Sequence, residues 1–391
     1  MHIHLIGTGN PFIGFGIHTL NTHRQLQNIC KLAGIKYTAS DIRNFQNTIN
    51  TSSQIAESTS EKEIVNLYIG QGRGAKNIFQ KLKGRSAIHT VFESNVLADG
   101  WKESLETTDL VITASEWGAN ILRNSLISTP VEVVPEGIDI SQFHHWNRTS
   151  AHSTPSSRAR KEEFHFLSIG KLEDRKGIKE LLEAFSLAFS KEKHIKLNLK
   201  IHNLLDKNYL QKFQTLLPSE ISDQVSLAKS NDKKDAMSNT EIADLYRSCH
   251  CFVFPSKAEG WGLPLIEAIA CGTPFTATHY SGQTEYLQHF KQRYSSINYC
   301  MEEIRSEDFF TFHKFTSDIQ PQWAKPDIDS LAENMKNIYN NWEKLNQDSI
   351  KNSQLARKLF SWRASTETLL DVLLKHFSQE KSCTDFGPSR P

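Results

Sequence analysis

Short apolar runs alternate with amphipathic stretches along the first half of the chain. Apolar runs predict strands at Ile3–Ile6, Ile64–Ile69, Ala87–Phe92, Leu110–Thr113 and Val131–Val134. Helical spacing between them predicts helices at Ile17–Leu32, Gly74–Leu82, Trp101–Thr107 and Trp117–Leu126. Residues 46–62 are rich in Ser, Thr, Asn and Gln, and are expected to form a loop. Strands separated by helices favour parallel βαβ units.

The same pattern restarts after a polar stretch at residues 144–161, which is expected to be an inter-domain linker. Strands are predicted at Phe164–Ile169, Lys196–Ile201 and Cys251–Phe254, and helices at Ile178–Phe189, Glu241–Arg247 and Leu355–Phe377. A chain of 391 residues is too long for one core. Two α/β halves are therefore expected, with ligands binding outside the carboxyl ends of the strands.

Composition narrows the class of protein without identifying a function. The chain has 45 basic and 44 acidic residues, and this net charge of +1 does not indicate a nucleic-acid-binding protein. The six cysteines lack the regular spacing of a disulfide framework, which suits a protein of the reducing cytosol. The N-terminal segment is interpreted as a strand rather than a signal peptide, and no apolar stretch is long enough to span a bilayer. A cytoplasmic protein is expected, with peripheral membrane association left open.

The most informative motif places Glu259 and Glu267 on either side of a glycine-bearing turn that opens an apolar helix. Glu259 is expected on the loop and Glu267 in the first helical turn. Gly260 and Gly262 let backbone amides face a ligand at the positive end of the helix dipole. Backbone amides can donate to phosphate oxygens, and the two carboxylates can accept hydrogen bonds from sugar hydroxyls. The motif therefore suits an anionic, polyhydroxylated ligand.

A second motif, between Gly170 and Gly177, joins a strand end to a helix and carries Lys171 and Lys176. Lysine side chains at the carboxyl end of a strand suit a diphosphate, because their charges meet adjacent phosphates. The loop after Gly7 contains further glycines, but Phe12 replaces the third glycine of the dinucleotide fingerprint. A simple NAD-binding function therefore loses support.

Together these motifs resemble the retaining, nucleotide-sugar-dependent glycosyltransferases of family 4. The two-glutamate motif is complete, and the family's Gly-Arg-Leu…Lys-Gly loop has a lysine at position 171. The resemblance covers about residues 1 to 375 and is strongest over 130–290. Further matching segments are Ser115–Trp117, Val134–Asp139, Pro255–Ser256, Trp323–Pro326 and Phe360–Trp362.

The resemblance implies a GT-B architecture, in which two facing Rossmann-like domains enclose a central cleft and a C-terminal helix crosses back to the first domain. The implied acceptor-side domain is 1–160, joined by the helix over 355–377. The implied donor-side domain is 161–354, and residues 378–391 are expected to form a disordered tail.

The resemblance also implies roles for individual residues. Glu259 would hold sugar hydroxyls and stabilise charge near the anomeric carbon, and Glu267 would accept hydrogen bonds from ribose. Sugar and phosphate would be contacted by the amides of Trp261, Gly262 and Leu263.

Lys176, with Lys171 beside it, would neutralise the diphosphate. Because Lys171 replaces an arginine, bidentate binding there is replaced by a point charge. The Trp261 ring remains open as either a sugar platform or a packing aromatic.

The first half of the chain supplies weaker candidates. Gly14 and Gly16 would meet the donor diphosphate from across the cleft, with a flexible turn as the alternative. His89 matches a family histidine near the reacting sugar; Glu93 is its competitor, and His18 is a weaker candidate.

Two apparent metal motifs are better explained by structure. Asp327 and Asp329 precede a helix and suit its capping. Cys249 and Cys251 resemble part of a metal site, but no second ligand pair has suitable spacing. In a strand both cysteines would face the same side and enter the core.

The expected activity is transfer of a hexose-type sugar from a UDP- or GDP-linked donor to a hydroxyl acceptor, with retention and without a metal or other cofactor. The acceptor would be a glycan, a lipid-linked molecule or another hydroxyl compound, in glycan or polysaccharide biosynthesis. Two alternatives remain, namely a nucleotide-sugar epimerase of similar fold and a non-catalytic carbohydrate- or partner-binding protein.

Overall fold

The chain forms two compact units. The computed structural model describes residues 1–11, 13–125, 128–145, 163–203, 206, 208–228, 237–290, 295–305, 314–315 and 319–378. The first unit comprises Met1–Val91, Asp99–Gly137 and the residues from Trp362 onward. The second unit comprises Phe92–Ala98 and Ile138–Ser361.

The first unit is built on a parallel six-stranded sheet with the order β2-β1-β3-β4-β5-β6. Its strands are β1 His2–Gly7, β2 Lys36–Asp41, β3 Ile64–Ile69, β4 Arg85–His89, β5 Leu110–Thr113 and β6 Val131–Val133. Its first five helices are α1 Gly14–Ala33, α2 Phe45–Ser58, α3 Ala75–Phe79, α4 Trp101–Leu105 and α5 Glu116–Asn124. Strands β1, β3 and β5 are wholly buried, as expected of central strands covered on both faces.

The polar stretch at 46–62 was expected to be a loop, and this expectation is wrong. Most of it lies in α2, whose Thr48, Ser52 and Ile55 are buried at helical spacing. Asn44 caps the helix by accepting the backbone N–H of Asn47. The polar composition conceals the helix because its buried face consists largely of small hydroxyl side chains.

The second unit is built on another parallel six-stranded sheet, with the order β12-β11-β10-β7-β8-β9. Its strands are β7 Phe164–Lys171, β8 Ile195–His202, β9 Val225–Leu227, β10 Cys251–Phe254, β11 Phe275–Thr278 and β12 Ser295–Ile297. An antiparallel ribbon follows, made of β13 Tyr299–Glu303 and β14 Gln322–Pro326. Its helices are α6 Ile178–Phe189, α7 Tyr209–Leu216, α8 Asn239–Ser248, α9 Leu263–Ala270, α10 Thr284–Leu287, α11 Ile328–Asn340 and α12 Trp342–Leu359.

The capping explanation of Asp327 is confirmed, and both cysteines are buried as expected, but Cys249 ends α8 and lies outside the strand β10. The side chain of Asp327 accepts the backbone N–H of Ser330 at 2.7 Å and caps α11. Cys249 and Cys251 are free and buried, 6% and 0% exposed. Burial raises the pKa of the Cys251 thiol, which keeps it neutral inside the core.

The single helix expected over 355–377 is two helices in the structure. The helix α12 ends at Leu359, and α13 Trp362–Phe377 belongs to the first unit. The break occurs because the carbonyl of Phe360 accepts the backbone N–H of Ile138 at 2.7 Å instead of continuing the helix. Most of the expected linker and the tail from residue 379 lie outside the described residues.

Two parallel six-stranded sheets with helices confirm the α/β prediction. None of the helices that the structure describes is long and apolar enough to cross a membrane.

Candidate active site

Three loops of the second unit meet at one edge of its sheet. They follow β7, β10 and β11, which are adjacent and parallel. Carboxyl ends of parallel strands lie at the same sheet edge, so the loops after Lys171, Phe254 and Thr278 converge there. The topology therefore explains why basic residues near position 175 come close to Glu259.

The carboxylate of Glu259 is held between two cations. Its Oε1 accepts hydrogen bonds from Lys176 Nζ and Ser256 Oγ, both at 2.5 Å, and its Oε2 lies 3.2 Å from Arg175 Nη1. Only 7% of the side chain is exposed. Burial alone would raise the pKa of this carboxyl, but the charges of Lys176 and Arg175 and these hydrogen bonds lower it to about 2. Glu259 is therefore ionised at neutral pH.

Lys176 and Lys171 occupy different environments, although both were predicted to meet a diphosphate. Lys176 is 11% exposed and contacts Glu259, whereas Lys171 is 38% exposed and lies 3.6 Å from Glu173. Burial and the neighbouring Arg175 lower the pKa of the Lys176 ammonium. The structure thus brings Lys176 to the carboxylate of Glu259 and leaves Lys171 at the end of β7, where it is more exposed.

Reciprocal ion pairs fasten the two loops together. The loop after β7 contributes Arg175 to Glu259, and the loop after β10 contributes Lys257 to Asp174 at 2.7 Å. Lys257 is 3% exposed and also lies 2.9 Å from Glu180. The backbone N–H of Lys257 donates to the carbonyl of Arg175 at 2.8 Å. Arg175 and Lys257 were not assigned from the sequence, where they look like ordinary loop cations.

Two glycines allow the loops to approach closely. A Cβ on Gly282 would lie 2.1 Å from the carbonyl oxygen of Gly260. Gly262 has a φ of 91°, and its Cβ would lie 2.9 Å from the hydroxyl of Tyr286. Ser281 has a φ of 64°, and its hydroxyl accepts the backbone N–H of Glu259 at 2.8 Å. The strained serine therefore fixes the backbone of the central glutamate.

The start of α9 offers donors to an anion. Among the described residues, the backbone N–H groups of Trp261 and Gly262 donate to no acceptor, and Leu263 is the first helical residue. The Trp261 ring is 2% exposed and packs edge-on against Tyr286 and Phe360 at 5.0 and 5.9 Å. This packing favours the interpretation of the ring as a packing aromatic rather than a sugar platform.

Glu267 is the fifth residue of α9, which begins at Leu263, and so lies just past the first turn in which it was predicted. Its Oε2 accepts a hydrogen bond from the hydroxyl of Tyr246 at 3.3 Å. Burial raises the pKa of the Glu267 carboxyl to about 8; the Tyr246 hydrogen bond opposes the shift and Asp139 adds to it. Much of Glu267 is therefore protonated at neutral pH.

The candidates of the first unit form a separate buried group. His89 is 1% exposed, and its ring nitrogens face His18 Nε2 at 3.0 Å and the carbonyl of Val134 at 3.1 Å. His18 Nδ1 lies 3.5 Å from Glu136. Burial lowers the pKa of both His18 and His89 to about 3, and raises that of Glu136 to about 7. These contacts occupy both ring nitrogens of His89.

The remaining sequence candidates lie at other places. Gly14 is exposed at the start of α1, with no atom within 4 Å of a would-be Cβ. A Cβ on Gly16 would lie 1.6 Å from the carbonyl oxygen of Asn10, so Gly16 permits the loop to pass over α1. Glu93 belongs to the second unit, where its carboxylate lies 3.8 Å from Arg175.

Known proteins share parts of this sequence. Residues 151–305 match the family described as Glycosyl transferases group 1. A D-inositol 3-phosphate glycosyltransferase of Pseudarthrobacter chlorophenolicus is 29% identical over 190 residues, which are 48% of this chain and 40% of that protein. A mannosylfructose-phosphate synthase of Agrobacterium fabrum is 24% identical over 160 residues, 39% of this chain and 33% of that protein. The chain thus spans less than half the length of these relatives.

Solved structures resemble the whole described fold. A sucrose-phosphate synthase from Thermosynechococcus elongatus has a TM-score of 0.64 at 17% identity, covering 97% of this chain and 99% of its own. The Anabaena protein HepE in complex with UDP and glucose has a TM-score of 0.62 at 14% identity, covering 95% and 99%. The chain therefore has the GT-B fold, and its residues 151–305 are similar to the group 1 glycosyl transferases.

Proposed function

We propose that this chain is a retaining glycosyltransferase of family 4 that moves a hexose-type sugar from a nucleoside-diphosphate donor to an acceptor hydroxyl. The observation that carries the proposal is the buried carboxylate of Glu259, held by Lys176 and Arg175 beside the unused amides of Trp261 and Gly262. A carboxylate suits sugar hydroxyls, and cations and amides at a helix start suit phosphate oxygens.

In this proposal Lys176 and the amides at the start of α9 bind the diphosphate. As the bond to the sugar breaks, negative charge grows on the leaving nucleoside diphosphate, and fixed positive groups stabilise it. Glu259 orients the sugar hydroxyls and offsets positive charge at the anomeric carbon. Because Lys176 supplies this charge from the chain itself, the proposal includes no metal ion.

Glu267 is proposed to bind the ribose hydroxyls, which donate hydrogen bonds best to its ionised form. Lys171 is proposed at the rim of the same diphosphate site. His89 enters the proposal as a residue that shapes the end of β4, since both its ring nitrogens are occupied. Gly16 enters it as the residue that lets the loop before α1 pass close to the helix, and Gly14 as an exposed glycine at the start of α1. The acceptor is proposed to be a glycan or lipid-linked hydroxyl compound, used on the cytoplasmic side of the membrane.

The proposal is tested first by thermal unfolding in the presence of UDP, GDP, ADP or dTDP. A nucleotide at about 100 times its Kd should add about 2.7 kcal/mol to the free energy of unfolding. One nucleotide should stand out, and its sugars should then be hydrolysed slowly or transferred. UDP is the first choice because the Anabaena protein was crystallised with UDP and glucose.

The alternatives give different outcomes in the same series. Conversion of a donor into another nucleotide sugar without acceptor would indicate an epimerase. No nucleotide-dependent shift in a well-folded protein would favour a non-catalytic binding protein. Retention is tested by the anomeric configuration of the product, and metal independence by activity in the presence of a chelator.

A further inference from the structure

The guanidinium of Arg175 lies close to three carboxylates of the second unit. Its side chain is 13% exposed, and Nη1 donates to the carbonyl of Ala258 at 2.7 Å while lying 3.2 Å from Glu259 Oε2. Its Nη2 lies 3.5 Å from Glu173 and 3.8 Å from Glu93. One guanidinium therefore touches both the backbone just before Glu259 and the carboxylate of Glu259 itself.

We infer that Arg175 is a positioning residue, which fixes the carboxylate of Glu259 for the sugar and leaves diphosphate binding to Lys176. This inference rests on the proposed function. The planar guanidinium presents several donors in a fixed fork, so it restrains both the backbone and the carboxylate. A lysine at the same place would supply one point charge and could not hold both groups in one geometry.

The charges around Arg175 explain why it acts through Glu259. Three carboxylates, those of Glu259, Glu173 and Glu93, lie within 3.8 Å of its guanidinium. Burial opposes the charge of Arg175, but these carboxylates raise its pKa further above the usual range. Its positive charge is thus already balanced by the protein's own carboxylates, and a diphosphate would compete with three fixed anions for it.

A distant segment completes this arrangement. Phe92–Ala98 belongs to the second unit, where the indole of Trp323 donates to the carbonyl of Glu93 at 2.6 Å. The backbone N–H of Gln322 donates to Asn95 at 2.7 Å. These two bonds hold Glu93 near Arg175, so the guanidinium connects this segment to the loop that carries Glu259.

The test compares Arg175→Gln and Arg175→Lys with a matched control, Arg247→Gln. Arg247 is also 13% exposed, and it also donates to backbone carbonyls, those of Gln142 and His144, and to a carboxylate, that of Asp244. None of these three partners belongs to the loops that carry Arg175 and Glu259. Turnover, KM, nucleoside-diphosphate Kd and the pH profile of turnover are measured for each. Misplacing a reacting group by about 1 Å costs roughly 100-fold.

Arg175→Gln should therefore lower kcat by about 10- to 100-fold while the nucleotide Kd changes less than about threefold. The acidic limb of the pH profile should move up by about one unit, because Glu259 keeps only Lys176 as its cation. Arg175→Lys should move the acidic limb less than Arg175→Gln does, because a positive charge remains, but it should restore less of the turnover. Arg247→Gln should leave the acidic limb unchanged. A nucleotide Kd weakened as much as by Lys176→Gln, or an unmoved limb, would overturn the inference.

A second measurement separates this inference from the proposed function. The melting temperatures of Arg175→Gln, Glu259→Gln and the double variant need no substrate. If the two residues are coupled, the double variant should lose clearly less than the sum of the single losses. Additive losses would contradict the coupling even in a protein without transferase activity. Absent turnover with every donor would instead refute the proposed function.

Discussion

The buried charge of Glu259 can be removed with little change in shape by Glu259→Gln. At neutral pH this leaves Lys176 and Arg175 facing each other, with side chains only 11% and 13% exposed. The Glu259 carboxyl has a pKa of about 2 in the folded chain against a reference value of 4.5. That difference corresponds to about 3 kcal/mol of stability. Breaking a buried ion pair by removing one partner costs about 3–5 kcal/mol, which agrees.

The sign of the pH dependence follows from the lowered pKa. Above about pH 4.5 the carboxyl of Glu259 is ionised in both the folded and unfolded chain, and the full stabilisation is present. It is lost as the pH falls from 4.5 towards 2. The gap in stability between the natural protein and Glu259→Gln should therefore be widest above pH 5 and shrink in acid.

Thermal unfolding with and without nucleotide measures both effects. A loss of about 3 kcal/mol in a unit of this size lowers the Tm by roughly 6–12 °C. Added nucleoside diphosphate should restore more of the Tm in the variant than in the natural protein, since it returns negative charge beside Lys176. The control Asp223→Asn breaks an exposed ion pair between Asp223 and Lys193, which are 59% and 52% exposed, and should leave the Tm nearly unchanged. A Tm equal to that of the natural protein at pH 7 would refute this account of Glu259.

Three further changes test other parts of the structure. Because the Glu267 pKa is about 8, nucleotide affinity should rise about tenfold from pH 7 to 9 if ribose prefers the carboxylate, and Glu267→Gln should abolish this rise in calorimetric titrations. Gly282→Ala should cost about 1–3 kcal/mol in denaturant unfolding by forcing the loops apart, whereas Gly74→Ala, with open space around it, should be nearly neutral. Glu136→Gln should leave the free energy of unfolding at pH 6 nearly unchanged, because burial raises the Glu136 pKa to about 7 and the amide can replace a protonated carboxyl. A large loss of stability would show that the carboxylate form is needed.

The strongly apolar elements could be predicted from the sequence alone. The strands β7 and β10 and the helix α6 lie where the pattern placed them, because buried central elements need continuous apolar faces. The edge strand β2 was missed since its side chains are exposed or half-buried. The break between α12 and α13 was missed because its cause is a backbone hydrogen bond to Ile138, far away in sequence.

The candidate site was predictable to the level of loops but not of individual contacts. Adjacent parallel strands bring the loop after β7 to Glu259, so a basic partner for that carboxylate followed from the topology. Which basic residue turns inward depends on the short 3-10 turn Asp174–Lys176, which directs Arg175 and Lys176 to Glu259. The sequence did not predict this turn. Glu93 was a candidate only through the family resemblance, and its proximity to Arg175 was not predicted, because its backbone partner Trp323 is 230 positions away.

The distribution of charge also decides where a diphosphate gains most binding free energy. Arg175 is balanced by three carboxylates, whereas Lys176 shares one of them, Glu259. A charged hydrogen bond from an ammonium is worth about 1.5–3 kcal/mol, and a helix start contributes typically 0.3–1 and up to about 2 kcal/mol. Lys176 should therefore dominate, and the amides of Trp261 and Gly262 should orient the phosphates. The ammonium of Lys176 also contacts Glu259, so in the proposed donor complex it would interact with both the sugar-binding carboxylate and the phosphate. Recognition of the sugar is thereby coupled to recognition of its leaving group.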